Sequence, residues 1–195
     1  MWGARVKTFQ TLIIVKHPLS VVWGTIRDRL PEFVHLLSDI ESVTCDAREE
    51  QPDGVVRLTN IWKAKATIPS VLSGLIRPEM LAWTDRAEWR SATHQCHWQI
   101  QLHFFTEHIQ CAGVTRYEPA LGGRGTKISF DGTLQVDVDR MGVVPQFLAT
   151  TVSSGVEAFV TSLVPKNFQK LAHAVSTFLD SQREGAVSAE KLEGM

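Results

Sequence analysis

Residues Thr126 to Asp139 alternate almost without a break. Ile128, Phe130, Leu134, Val136 and Val138 fall on one side, and Lys127, Ser129, Asp131, Thr133, Gln135 and Asp137 on the other. A period of two over this length predicts a β-strand with one dry and one wet face, the pattern of an antiparallel sheet. The chain repeats the signal. Strands are predicted over Arg5–Lys16, Ile40–Glu50, Val55–Ala66, Met80–Arg90, Thr93–Phe104 and Glu107–Glu118. The segments Gln51-Pro52-Asp53-Gly54 and Gly122-Gly123-Arg124-Gly125 have turn chemistry and separate neighbouring strands. A sheet with one dry face has to cover it.

Helical spacing appears in three places. Pro18 opens a first helix carrying Val21, Val22, Thr25 and Ile26, and Pro31 restarts a short second one carrying Phe33, Val34 and Leu37. Ile68, Val71, Leu72, Leu75 and Ile76 recur at i, i+3, i+4, i+7 and i+8, which predicts an extra amphipathic helix between strands 3 and 4. From Val144 an apolar stripe runs through Leu148, Val152, Val156, Phe159, Val160, Leu163, Phe168, Leu171, Val175 and Phe178. Pro165 should kink that helix or divide it. Only this last helix is long enough to cover the sheet. The fold class is therefore α+β: a curved seven-stranded antiparallel sheet gripping a long C-terminal helix, with two short helices after strand 1. Residues 1–180 form one domain, and 181–195, rich in Ser, Gly, Glu and Lys, read as a flexible tail.

Composition narrows the function. Twenty Lys and Arg against 21 Asp and Glu leave a net charge of −1, without the basic surplus of a dedicated nucleic-acid binder. No apolar run is long enough for a membrane span, no secretory signal is visible, and three cysteines make no disulfide framework. A cytoplasmic protein without cofactor is expected.

The chain resembles the START and pollen-allergen-type helix-grip superfamily, which also holds polyketide cyclases and dehydrases and lipid-transport proteins. The resemblance rests on the opening strand running into His17-Pro18-Leu19-Ser20-Val21-Val22-Trp23, on Met80-Leu81-Ala82-Trp83-Thr84-Asp85, on Tyr117-Glu118-Pro119, on the alternating last strand and on the closing helix. It spans about residues 5–180, and the helix at 68–76 departs from the simplest members. It implies a deep cavity between sheet and helix that holds a hydrophobic ligand: a lipid, an isoprenoid or a polycyclic molecule.

The residues add their own pointers. Trp62, Trp83, Trp89 and Trp98 share the apolar phase of their strands, as core packing or as the wall of a space. Asn60 and Asp85 fall in that phase too. A buried carboxylate is costly unless paired or protonated, so Asp85 meets a partner, faces a cavity, or turns outward at a bulge. His94, Thr115 and Tyr117 share the inward phase, and Phe147, Thr151 and Phe159 would floor a hollow interior. The expected ligand-binding set is Asn60, Trp62, Trp83, Asp85, His94, Trp98, Tyr117, Phe147 and Thr151. The alternative is a cyclase or dehydratase using Asp85 and His94 for proton transfer. A third is an interaction module with a filled core, marked by no cavity above roughly 300 Å³.

No metal site is expected from His94, Cys96, His97, His103, His108 and Cys111. His97 and His103 lie roughly 20 Å apart along one strand, and Cys96 points the opposite way. No nucleophile motif or phosphate loop is present. The helix at 68–76 packs on the body, caps the cavity mouth, or makes transient membrane contact.

Overall fold

The computed structural model describes residues 5–65, 68, 77, 80–103, 106–136 and 149–193. The chain runs β1 (Arg5–Val15), α1 (Leu19–Asp28), α2 (Leu30–Phe33), β2 (Ile40–Glu50), β3 (Val55–Ala64), β4 (Ala82–Arg90), β5 (Gln95–Leu102), β6 (Ile109–Ala120), β7 (Gly125–Val136) and α3 (Ala149–Glu193). The seven strands form one antiparallel sheet in the order β1-β7-β6-β5-β4-β3-β2. From β2 to β7 each strand pairs with the next in sequence, and β1 closes the sheet against β7. The short helices α1 and α2 carry the chain from one edge to the other.

The dry phase read from the sequence is the buried one. Val56, Leu58, Asn60, Trp62 and Ala64 are buried on β3, as are Ile128, Phe130, Leu134 and Val136 on β7. In α1 the buried side chains are Val22, Trp23, Thr25 and Ile26, and Val21 is exposed. Trp23 meets the rings of Trp89 and Tyr117 edge-on, at 4.9 and 5.1 Å between centroids.

Two glycines shape the dry face. Gly113 is the cross-strand partner of both Trp98 and Gly132, and Gly132 is in turn opposite Phe9. A Cβ on either glycine would run into the Trp98 ring. The indole thus lies flat over two residues without side chains. There it stacks on Phe130 at 4.7 Å, and Phe130 stacks on Phe168 of α3 at 4.2 Å.

The long helix departs from expectation twice. It runs on through Pro165 as one element. A proline deletes one N–H from the ladder, and the turns on either side continue across that loss. The helix also extends to Glu193, through the segment expected to be a tail. Gln, Arg, Glu, Ala and Lys there are good helix formers, and a polar composition suits a solvated helix as well as a loose chain. Residues 181–185 are exposed. The predicted helix at 68–76 lies outside the described residues apart from Ile68.

Polar ties hold α3 over the sheet. Glu157 pairs with Lys7 of β1 at 2.8 Å, Lys170 with Asp39, His17 with Asp180 at 3.0 Å, and Arg29 donates to Gln182 at 2.9 Å. Among the described residues no helix is long and apolar enough to cross a membrane.

Candidate functional site

Strand register builds the site as rows across the dry face. One row runs Asn60, Asp85, Ile100, Cys111, Leu134 and Lys7, each directly opposite the next. The flanking row on one side begins with Trp62 opposite Trp83, whose rings stack 5.6 Å apart and nearly parallel. On the other side Ala87 is opposite Trp98, and beyond that Trp89 is opposite Cys96, which is opposite Thr115. Asp85 therefore stands in the middle of an indole-rich surface, where the alternation of β4 places it.

A cavity of about 120 Å³ lies over these rows. Its sheet side includes Asn60, Trp62, Trp83, Asp85, Trp98 and Tyr117, and its floor is Val164, Asn167, Phe168 and Leu171 of α3. Ile26 and Leu30, from α1 and α2, close one flank. The indoles stack on their neighbours, which keeps the space close to the size of an engineered cavity of about 150 Å³ that takes benzene.

Asp85 is the ionisable centre of this cavity. It is partly buried and lines the cavity. Burial pushes its carboxyl up from the ordinary 3.8 to about 7, against the opposing pull of Trp62 and Asn60, which favour the anion. The Trp62 Nε1–H acts on the Asp85 carboxyl and has no other partner. Burial also pushes the Cys96 thiol and the Tyr117 phenol well above their usual pKa values, with the Asp85 charge adding to the effect. Both groups stay neutral donors.

Other polar atoms on the cavity lining are also unpaired. Trp89 Nε1 and both amide atoms of Asn167 are buried without a hydrogen-bond partner. Trp98 differs: its Nε1–H donates to Thr115 Oγ1 at 3.2 Å.

Six expected site residues come together here: Asn60, Trp62, Trp83, Asp85, Trp98 and Tyr117. His94 does not join them. It sits in the left-handed region (φ 49°) in the turn before β5, where strand phase no longer governs a side chain, and its ring rests on the Trp23 edge 5.4 Å away. Asp85 is five residues back along β4 from Arg90, the partner of Gln95, so roughly 16 Å of strand separates it from that turn. The Asp85–His94 proton-transfer pair is not assembled. Thr151 is exposed, 16 residues before Asn167, or roughly 24 Å along the helix. Phe147 lies outside the described residues.

The sequence reading missed Asn167. It stands beside Phe168 in the apolar stripe of α3, and a lone polar residue next to that stripe was the available signal. Among the described residues no three His, Cys, Asp or Glu side chains gather as a metal site. His103 is instead hydrogen-bonded to Thr84 at 2.9 Å.

No family model and no curated protein matches the sequence. Solved structures do. TTHA0849 from Thermus thermophilus superposes with a TM-score of 0.59 at 16% identity, covering 87% of this chain and 97% of its own. The ZhuI aromatase/cyclase from Streptomyces sp. R1128 gives 0.57 at 17% identity, over 90% of this chain and 94% of its own. A START superfamily protein from Mycobacterium smegmatis gives 0.51 at 14%, over 92% and 99%. The chain has the helix-grip fold.

Proposed function

We propose that this protein binds a hydrophobic small molecule between the sheet and α3, with a ring-sized portion of it seated among Trp62, Trp83, Trp89 and Trp98. One observation carries the reading: an apolar cavity lined by four indoles holds a carboxyl with no cation facing it among the described lining residues. An acid left without a cation in such a place lowers stability and is useful where a polar group of a guest completes it. The helix-grip relatives include an aromatase/cyclase and a START superfamily protein, which supports a small-molecule role. The volume favours a single ring, or one end of a lipid, isoprenoid or polycyclic ligand. At about 120 Å³ it is below the common pocket range, as an interaction module would have it, but a core built only to pack has no use for unpaired indole and amide groups.

Purified protein examined by native mass spectrometry and organic extraction tests the proposal. A co-purifying hydrophobic molecule, or saturable uptake of an aromatic fluorophore, is expected. Absence of both removes the reading.

The raised Asp85 pKa favours a second reading, an enzyme of cyclase or dehydratase type. A carboxyl near 7 can give and take a proton at neutral pH. With His94 elsewhere, Asp85 would act with Asn60 and the Tyr117 phenol. Asp85→Asn should then abolish turnover while ligand binding persists. Loss of both together makes Asp85 a binding residue.

A further inference from the structure

We infer that the polar group taken by this cavity is an uncharged oxygen acceptor on a ring, a ketone or phenol, and not a carboxylate, phosphate or amine. The inference rests on the ligand-binding reading above and specifies its chemistry.

Donors decide it. Trp62 and Trp89 are 8% and 6% exposed; the Nε1–H of Trp89 has no partner, and that of Trp62 has none beyond the Asp85 carboxyl beside it. An indole nitrogen donates and cannot accept. The Asn167 amide, unpaired at both ends, offers two further N–H groups from the helix side. Protonated Asp85 and the neutral Tyr117 phenol add O–H groups. A ligand oxygen satisfies this surplus.

Charge excludes the alternatives. Among the described lining residues there is no Lys, Arg or His. The nearest cation in the Asp85 row, Lys7, is engaged by Glu157. An anionic head would enter with no counter-ion and face Asp85, at the full cost of desolvation. An ammonium would suit ionised Asp85, yet it would turn its own N–H groups toward the indole and amide donors. A phenol fits on both counts, accepting from the indole and donating to Asn167 Oδ1 or Asp85.

The test uses the full-length protein and four single-ring probes matched to the cavity: acetophenone, benzoate, benzylamine and toluene. Indole Nε1–H resonances in a ¹H–¹⁵N spectrum report on each tryptophan, assigned by loss of a peak in Trp62→Phe and Trp89→Phe. Acetophenone should move the Trp62 or Trp89 indole peak and bind about fivefold or more tightly than toluene, with benzoate and benzylamine weaker than both. Trp62→Phe should weaken acetophenone about fivefold and leave toluene within about twofold. Where that variant fails to fold, Asn167→Leu makes the same comparison. Benzoate or benzylamine binding as well as acetophenone, or acetophenone binding no better than toluene, overturns the inference and leaves ligand binding intact. If toluene and the other three move no indole peak, the binding reading fails and this inference with it.

Discussion

Asn60 stands directly opposite Asp85 in the β3–β4 pair, so an amide and a carboxyl face the dry side of the sheet from the same rung. Their neighbours on the same face of each strand are Leu58 and Trp62, and Trp83 and Ala87, all buried. Paired strands keep side chains of one rung within reach, and this rung has the only such polar partner for Asp85 on β3 or β5, since Ile100 lies on its other side. With the Trp62 indole, that amide is still not enough to hold a carboxylate in a low-dielectric site. The acid therefore stays protonated to a far higher pH than a surface aspartate.

A stability profile follows from that acidity. The folded value, about 7, lies above the ordinary 3.8, so the folded state binds the extra proton between those limits. Stability from the neutral acid is complete below about pH 4 and is lost as pH rises through about 7. The difference corresponds to at most ~4 kcal/mol. Urea midpoints of the ligand-free protein should therefore fall between pH 5 and pH 8. In Asp85→Asn the fall should shrink, and the variant should be the more stable protein at pH 8. Equal pH dependence in the two proteins would show that Asp85 ionises normally.

The flat seat of Trp98 gives a second expectation. An added methyl at Gly113 or Gly132 enters the space of the Trp98 ring, with the Asp131 carbonyl also in the way at Gly113 and Phe9 at Gly132. Gly113→Ala should cost about 1–3 kcal/mol, as overpacking does, and change the tryptophan emission. Gly24 is the control. It lies in α1 with nothing within 4 Å of a Cβ, so Gly24→Ala should stabilise by about 0.5–1 kcal/mol. Thermal unfolding of the two variants should move in opposite directions. A neutral Gly113→Ala would mean that the indole has room to shift.

Much of this architecture was legible because a strand repeats every two residues. The phase of β3, β4 and β5 alone places Asn60, Trp62, Trp83, Asp85 and Trp98 on one surface, and the meander order brings those strands together. What stayed hidden depends on three dimensions. His94 belongs to the alternation on paper, but it is still in the turn, one residue before β5 begins, and φ at 49° takes its ring away. Thr151 shares a helix with Asn167, and which turn of α3 lies over Asp85 depends on how far the helix slides along the sheet. Cavity size was equally illegible. Stacking of Trp62 on Trp83, of Trp98 on Phe130 and of Phe130 on Phe168 decides how much space the indoles leave.

The Lys7–Glu157 pair fixes that slide and supplies the last expectation. Lys7 comes from edge strand β1 and ends the row that Asp85 occupies, and Glu157 projects from α3 with its residue 2% exposed. One carboxylate oxygen meets Lys7 at 2.8 Å, and the other is buried without a partner. Removing the ammonium leaves a buried charge uncompensated, which is costlier than losing both groups. The lysine is half exposed, so the effect is smaller than for a fully buried pair. Lys7→Met should cost about 1–3 kcal/mol, and adding Glu157→Gln should recover part of it. A double-mutant cycle from urea unfolding measures the coupling. If the two substitutions simply add, the pair does not anchor α3, and its position over the cavity depends on Phe168 and the ties from Lys170 and Asp180.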